Sequence, residues 1–466
     1  MKHTSKLLAL LAVALLVPNA GCNDPLRVSI PDIVPPGALS DSAALATVRA
    51  GAIGDFAIAY SGDHPDGSGG TGEGVIMYGG LLADEWINSE TFPTRIEVDA
   101  RTIALTNADV DLWFRLLHRA RNSAETAAAR YASTAPADPG HPEMLSLAGF
   151  TYVFFAETYC SGVPVSVLNP DGSITYGQPL TRDSLLQRAI GFFNQALAAS
   201  TDAGMTSLAS VGKGRALLDG GNFAGAATAV AGVPTNFSYL NEHSENTTRQ
   251  ENGVFNGNAG DIRYSIGDRE GTNGFPYRFV LDRRTTFKNG GLGFDGSTPQ
   301  WNTERFGDRK ASIPVATGVE ARLIQAEAAL QLGDTGTGGA YLNALNDPRT
   351  NAASRGYYDP SPFVPADTLT RPIGTMAALT TTDITNAGGA VNLLFAERAR
   401  WMQFTAHRLG DLRRLIRQYG RPANTVFPVG PYFKPNFPVY GPDVNIPVPI
   451  TEKNNPNFTA CLDRLP

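Results

Sequence analysis

The side chains able to do chemistry in this chain fall in a few short stretches. Asp84 and Glu85 are paired carboxylates, the residue type that glycoside chemistry uses as acid and base. As neighbours on a helix they would diverge by about 100°, which prevents them from flanking one bond unaided. Gly67-x-Gly69-x-x-Gly72 has the spacing of a dinucleotide fingerprint, but no strand precedes it, so it reads as an exposed glycine-rich loop. Asp171, Ser173 and Thr175 alternate like calcium ligands without the later glutamate, and Asn169-Pro170-Asp171-Gly172 is a turn signal. There is no Gly-x-Ser-x-Gly elbow, Walker loop or His-Glu-x-x-His, and the six histidines lack ligand spacing. These readings argue against an enzyme and call for no cofactor and no metal.

Stacking chemistry is better represented. Aromatic rings in loops offer flat faces to sugars or other ligands, while nearby Asn, Asp and Arg supply hydrogen bonds. Trp86, Asn88 and Phe92 qualify, as do Phe275, Tyr277, Phe294 and Trp301, and Tyr357 and Tyr358, in stretches punctuated by Gly, Pro and Asn. From these a ligand-binding face is expected of Trp86, Asn88, Phe92, Tyr277, Trp301, Tyr357 and Tyr358. Taken singly, each ring is also a plausible core residue.

The three cysteines carry a different chemistry. Lys2, His3 and Lys6 precede an apolar run over residues 7–17, which ends at Pro18-Asn19-Ala20-Gly21-Cys22. This is the layout of a secretory leader, and the run is shorter than the about 20 residues that span a bilayer. Ala20-Gly21-Cys22 looks like a lipobox, in which Cys22 is acylated and becomes the new N-terminus, although Asn19 stands where an aliphatic residue is usual. An ordinary signal peptide cleaved near Gly21 is the other reading. With Cys22 acylated, Cys160 and Cys461 are the two thiols left in an oxidising export compartment, and a disulfide between them is expected.

These groups need a frame. Charged residues are 18%, and Gly 49 with Pro 32 imply long ordered loops. The formal charge of −6 becomes −8 after loss of the leader, with 36 basic against 44 acidic residues, and no basic stripe points to nucleic acid. Residues 22–38 read as a proline-rich tether. Apolar periodicity predicts helices over residues 43–60, 75–87, 108–131, 144–159 and 181–199. Short pairs follow at 208–218 with 223–230, and at 319–332 with 339–345, a tetratricopeptide-like stacking without a clean repeat. Residues 165–168 and 174–176 form a short hairpin, and 236–312 is loop-rich. Residues 393–416 read as one long helix whose Asp411 pairs with Arg408 and Arg414. The fold class is mainly α: a scaffold of helical pairs with a loop-rich irregular region and a few short strands.

Glu397-Arg398, Phe404, His407-Arg408 and Asp411-Leu412-Arg413-Arg414 together resemble the C-terminal signature of SusD/RagB-like outer-membrane lipoproteins, roughly E-R-x-x-E-[LF]-x-[FL]-E-G-x-R-x-x-D-L-x-R. Trp401 and Thr405 stand where glutamates are usual, and Ala406 where glycine is. Residues 113–122, 150–164, 321–334 and 445–456 are similar, in order, to further family segments, so the resemblance spans most of the chain. It implies a leader at 1–21, a lipidated tether at 22–38 and one SusD-like domain at 39–466, with the 236–312 insert inside it. It further implies a surface-exposed outer-membrane lipoprotein that binds an oligosaccharide or peptide and delivers it to a TonB-dependent SusC-like β-barrel transporter. A helical-repeat scaffold without a small ligand is the alternative.

Overall fold

The helices begin where local capping predicts. In the computed structural model, which describes residues 44–64, 73–169, 171–351, 356–358 and 373–466, α1 is Leu45–Ser61, α2 Val75–Leu82, α3 Pro93–Asp99, α4 Ala108–Thr134 and α5 Gly140–Thr158. Next come α6 (Arg182–Ala199), α7 (Ala203–Asp219), α8 (Phe223–Val230), the short α9 (Gly253–Phe255), α10 (Gly318–Gln331) and α11 (Ala340–Thr350). The last three are α12 (Thr381–Asn386), α13 (Ala390–Trp401) and α14 (Arg408–Arg417). The side chains of Asn107, Thr181, Asp202, Asn222 and Thr317 accept backbone N–H groups at the starts of α4, α6, α7, α8 and α10. Such a cap contributes about 1 kcal/mol to its helix. The leader, the tether with Cys22, and Gly67, Gly69 and Gly72 lie outside the described residues.

Within Leu45–Pro466, one compact unit, the helices stack in series: α1 on α4, then α4 through α8, with α10 and α11 closing the row. Small residues let them approach. A Cβ at Gly149 of α5 or Gly212 of α7 would meet the Phe193 ring at 2.8 and 2.3 Å, so both glycines seat that ring of α6 between them. Among the described residues the strands form five two-stranded antiparallel sheets. β1 (Trp86–Asn88) pairs with β7 (Tyr264–Ile266), β2 (Val163–Pro164) with β5 (Pro179–Leu180), and β3 (Val167–Leu168) with β4 (Ile174–Thr175). β6 (Ser238–Asn241) pairs with β10 (Ile313–Thr317) and β8 (Phe287–Leu292) with β9 (Pro299–Thr303). The architecture is mainly α with short strands, and the 236–312 stretch holds four of those strands, β6 to β9, with β10 just beyond. Cys160 is bonded to Cys461, with Cα atoms 6.0 Å apart.

Two helical expectations are corrected. Residues 393–416 are two helices, α13 and α14, separated by a break in which Phe404 and Ala406 have φ of 59° and 61°. Distant side chains take the groups that a continuous helix would use. Tyr358 Oη donates to the Trp401 carbonyl at 2.9 Å, Arg305 donates to the carbonyls of Trp401 and Gln403, Arg215 donates to that of Ala406, and Glu85 accepts the Phe404 N–H at 2.9 Å. The helix at 75–87 likewise stops at Leu82, and Trp86 enters β1 instead.

The charged side chains of the signature are buried and paired. Arg398 and Arg414 both hold Asp411, and Arg414 also reaches Glu327 and Asp219. Arg408 leaves Asp411 and forks onto Asp84, with both N···O distances 2.6 Å. The expected Asp411–Arg414 pair is therefore present, and the Asp411–Arg408 pair is replaced by one to a residue 324 positions away. Glu397 is clamped by Arg284 and Arg349.

Candidate functional site

The pairing of β1 with β7 creates the site. Trp86 faces Ile266 and Asn88 faces Tyr264 in register, and the Ser89 N–H donates to the Arg263 carbonyl at 2.8 Å. The chain leaving β1 thereby meets the chain entering β7, which sets Phe92 beside Arg263. Pro93 holds the first turn of α3, a position where its missing N–H costs nothing, and Phe92 is the residue before it, 44% exposed. On the other side, α9 runs into a π-helical turn, Asn256–Gly260, and the following Ile262 has φ of 52°. A β-branched residue is rarely found there, at a cost of about 1–3 kcal/mol. Its carbonyl holds the neighbours together, accepting from Ser89 Oγ at 3.0 Å and from the Phe294 N–H at 2.9 Å. The β8–β9 turn docks so closely that a Cβ on Gly293 would lie 2.4 Å from Ser89 Cβ, and Lys434 pins Asp295 at 2.7 Å.

The result is a cleft of ≈ 230 Å³ with Phe92, Glu73, Arg95, Asp109, Asp261 and Arg263 in its wall. Arg263 stacks against two exposed rings, 5.3 Å from the centroid of Phe92 and 4.8 Å from that of Phe294, which is 49% exposed. Arg95 lies 5.1 Å from Phe92. Both guanidiniums are bound from below: Arg95 by Glu73 at 3.0 Å and Glu90 at 3.5 Å, and Arg263 by Glu90 at 2.8 Å and Asp261 at 3.4 Å. Burial raises the Glu73 and Glu90 carboxyls above their ordinary values, and the adjacent guanidiniums partly oppose that rise. Tyr264 Oη donates to Glu73, completing a rigid base. The arrangement offers two exposed rings, Phe92 and Phe294, joined by the Arg263 guanidinium above a polar floor. It suits a ligand with flat faces and hydroxyl groups.

Of the expected binding residues, the structure places only Phe92 in this wall. Trp86 is fully buried, its ring stacked on Phe404 with centroids 3.8 Å apart. Asn88 is fully buried, its N–H bonded to Asp99 and its Oδ1 accepting the Glu90 N–H at 3.0 Å. Tyr277 is buried edge-on to Phe275. Tyr357 and Tyr358 are buried as well, donating to the carbonyls of Ser312 and Trp401. The expectation of exposed loop rings is corrected for these four aromatics, and Asn88 acts from beneath by positioning Glu90. Trp301 is half-buried on β9 between Phe287 and the Arg278 guanidinium, away from the cleft wall. Phe294 belongs with Phe92, whereas Arg95, Arg263 and Glu73 carry no local sequence signal. The Asp84–Glu85 pair is spent on structure, Asp84 on Arg408 and Glu85 on the Phe404 N–H.

No family model matches the chain, and no curated protein matches it. Solved structures do. A SusD superfamily protein from Bacteroides thetaiotaomicron superposes with a TM-score of 0.61 at 14% identity, covering 90% of this chain and 100% of that one. NanU of B. fragilis gives 0.60 at 12%, covering 93% and 100%. The surface glycan-binding protein A from Bacteroides thetaiotaomicron, in complex with laminarihexaose, gives 0.57 at 10%, covering 90% and 99%.

Proposed function

We propose that this chain, which has the SusD/RagB-like fold, captures a saccharide in the cleft beside Phe92 and passes it to a TonB-dependent SusC-like outer-membrane barrel. The observation that carries the reading is the exposed Phe92–Arg263–Phe294 row above a floor of paired charges. Sugar rings lay their C–H faces on such rows, and their hydroxyls bond to fixed carboxylates and guanidiniums. The laminarihexaose complex of a protein with this fold supports a saccharide over a peptide.

The role is binding rather than turnover. Glu73 and Glu90, the most buried carboxylates of the floor, are held by Arg95 and Arg263 and are thereby committed to ion pairs rather than to proton transfer. Two or three stacked rings, each adding about 1 kcal/mol beyond the apolar area it buries, make a shallow site of micromolar to millimolar affinity, about 4–8 kcal/mol in all, which suits release to a transporter. In this reading Cys22 carries the lipid anchor that holds the protein at the cell surface, and the barrel takes a separate face of about 1,000 Å² or more.

Titration of the purified protein with a panel of oligosaccharides tests the proposal. At least one class binds, and Phe92→Ala and Phe294→Ala each weaken it about fivefold or more while the fold is kept. Failure of every saccharide to bind, or unchanged binding by both variants, overturns it.

A further inference from the structure

Residues 430–440 form a hairpin that holds the frame of the cleft and stands on two carboxyls without a cation. Its backbone hydrogen bonds are internal: the Tyr432 N–H donates to the Pro438 carbonyl, that of Phe437 to Lys434 and that of Tyr440 to Gly430. The stems are fixed outside it, the Val429 carbonyl accepting the Thr272 N–H at 3.1 Å and the Gly441 N–H donating to the Ala100 carbonyl at 2.8 Å. Between the stems Tyr432, Lys434 and Tyr440 are buried, while Phe433 and Val439 are exposed. Pro431, Pro435 and Pro438 stiffen the loop, so that it moves as a unit. Lys434 reaches the cleft. Its Nζ donates to the Glu90 carbonyl and, at 2.7 Å, to Asp295, the two side chains being 10% and 9% exposed. Asp295 in turn folds the β8–β9 turn that carries Phe294, accepting the N–H groups of Ser297 and Thr298 at 2.9 and 2.8 Å. Lys434 therefore fixes that ring from behind.

The other two inward side chains rest on the carboxyls. Tyr432 and Tyr440 meet edge to face, 5.0 Å between centroids. Tyr432 Oη donates to Asp99 Oδ2 at 2.7 Å and Tyr440 Oη to Glu270 Oε2 at 3.3 Å. Asp99 Oδ2 also accepts the Asn88 N–H at 2.6 Å. The second oxygens, Asp99 Oδ1 and Glu270 Oε1, are buried without a hydrogen-bond partner among the described residues. Asp84 and Glu397 are clasped by Arg408 and Arg284, but no such pair holds Asp99 or Glu270 among the described residues. An unpaired buried carboxylate is costly, and a protonated carboxyl far less so. Burial accordingly raises both above the ordinary carboxylate range, and Asp99 and Asp84 raise Glu270 further. The tyrosine hydroxyls, the Asn88 N–H, Lys434 and Arg278 oppose the rise, while Arg101 acts on Tyr440 from beyond α3. Folded values thus exceed unfolded ones, so the footing is firm on the acid side and is lost as pH rises through the raised values.

We infer that residues 430–440 are a strap that sets Phe294 in line with Phe92 while at least one of Asp99 and Glu270 is protonated, and that loss of the last proton lifts the strap and releases the saccharide. This rests on the saccharide reading and adds a regulation to it. Two carboxylates in that interior repel each other and draw in water. Tyr432 and Tyr440 then lose their footing, and Lys434 leaves Asp295.

Calorimetric titration with laminarihexaose, or with the neutral oligosaccharide that binds best in the panel, tests this without a titrating group on the ligand. Between about pH 5.5 and about pH 8.5 the parent protein should lose about fivefold in affinity, the worth of one stacked ring. Asp99→Asn with Glu270→Gln keeps acceptors for the tyrosine hydroxyls and removes the charge, so the double variant should bind equally at both values. Glu73, Glu85 and Glu90 stay in place there, which separates their titration from that of the pair. Lys434→Met should bind about fivefold more weakly at both values. A readout without sugar is the acetylation of Lys434 by a water-soluble active ester, taken relative to exposed Lys288. That ratio should rise with pH in the parent and stay low in the double variant. Equal affinity of the parent at both values, a double variant that keeps the parent's loss, or Lys434→Met binding as tightly as the parent overturns the strap and leaves saccharide capture standing. Binding of no saccharide overturns capture, and the Lys434 to Lys288 ratio then decides the strap by itself. Should the double variant fail to fold, the pH profile of the parent against that of Lys434→Met decides, parallel losses overturning the inference.

Discussion

Trp86 lies flat against Phe404, ring centroids 3.8 Å apart and planes 16° from parallel, although 318 positions separate them in the chain. The pair closes the end of β1 onto the break between α13 and α14. Trp86 is fully buried, so Trp86→Ala should destabilise the protein by about 3–5 kcal/mol, the usual cost of truncating a buried large aromatic. Phe92→Ala, at an exposed ring six residues on, should stay within about 0.5 kcal/mol of the parent. Denaturant titrations of the two variants, compared at equal m-value, check the contrast.

That contrast also shows where the sequence was readable. The starts of α4, α6 and α8 were legible because their caps act within three residues, as Asn107 and Thr181 do, whereas α7 starts at Ala203, five residues before the expected 208, under a cap from Asp202. The break at Phe404 was not, because it depends on Glu85, Arg305 and Tyr358, all brought in by tertiary packing. Trp86 and Tyr358 looked like loop rings for the same reason: their burial comes from partners elsewhere in the chain. Phe92 and Phe294 were legible as loop aromatics. Arg263, which joins them, was not, since its place follows from a β1–β7 register that neither short strand announces alone.

The disulfide should stabilise the tail more than its own burial would. Cys160 and Cys461 are 301 positions apart, and Cys461 is half-buried in a segment otherwise held by bonds such as Leu462 N–H to the Ser161 carbonyl. Cys461→Ser should lower stability by about 2–5 kcal/mol. A thiol assay on denatured, non-reduced protein should find neither Cys160 nor Cys461 reactive; two free thiols at these positions would contradict the bond.

Glu85 makes stability depend on pH. Burial pushes its carboxyl up to about 8, against the lowering effects of the Phe404 N–H and of Arg408 and Arg305, while Asp84 adds to the rise. The folded value exceeds the unfolded one, so the folded state binds the extra proton between the two. The contribution of Glu85 is thus full below about pH 4.5 and is lost as pH rises through about 8. Glu85→Gln keeps an acceptor for the Phe404 N–H and removes the titration. Its stability should fall less than that of the parent between pH 5 and 8, as read by thermal unfolding across that range; parallel curves would exclude Glu85 as the source.

The proposed lipid anchor at Cys22 rests on the leader pattern Ala20-Gly21-Cys22. Two acyl-type anchors hold a protein stably on a membrane, whereas one is marginal. Cys22→Ser should move the protein from the membrane fraction to the soluble fraction and abolish incorporation of labelled palmitate. A variant that stays membrane-bound, beside a parent that takes up no label, would contradict it.

Gly293 tests how tightly the two exposed rings are coupled. Its Cα faces Ser89, and an added methyl would lie 2.4 Å from Ser89 Cβ and 2.7 Å from the Ser89 carbonyl oxygen, closer than packed atoms approach. Ser89 cannot yield easily, because its Oγ bonds both the Ile262 carbonyl and Gln300 Oε1 and its N–H bonds Arg263. The β8–β9 turn must move instead, and it carries Phe294 with it. The three nearest atoms to the added methyl all belong to Ser89, so Gly293→Ala should cost about 1–3 kcal/mol, the range for overpacking, without unfolding the chain. Saccharide binding should fall roughly as far as in Phe294→Ala, because the ring is displaced from Arg263 and no longer lies in line with Phe92. Measuring both variants, and then the double variant, by titration with the same oligosaccharide checks the coupling: if the two act through one ring, the double variant is no worse than Phe294→Ala, and additive losses would show that Gly293 acts by another route.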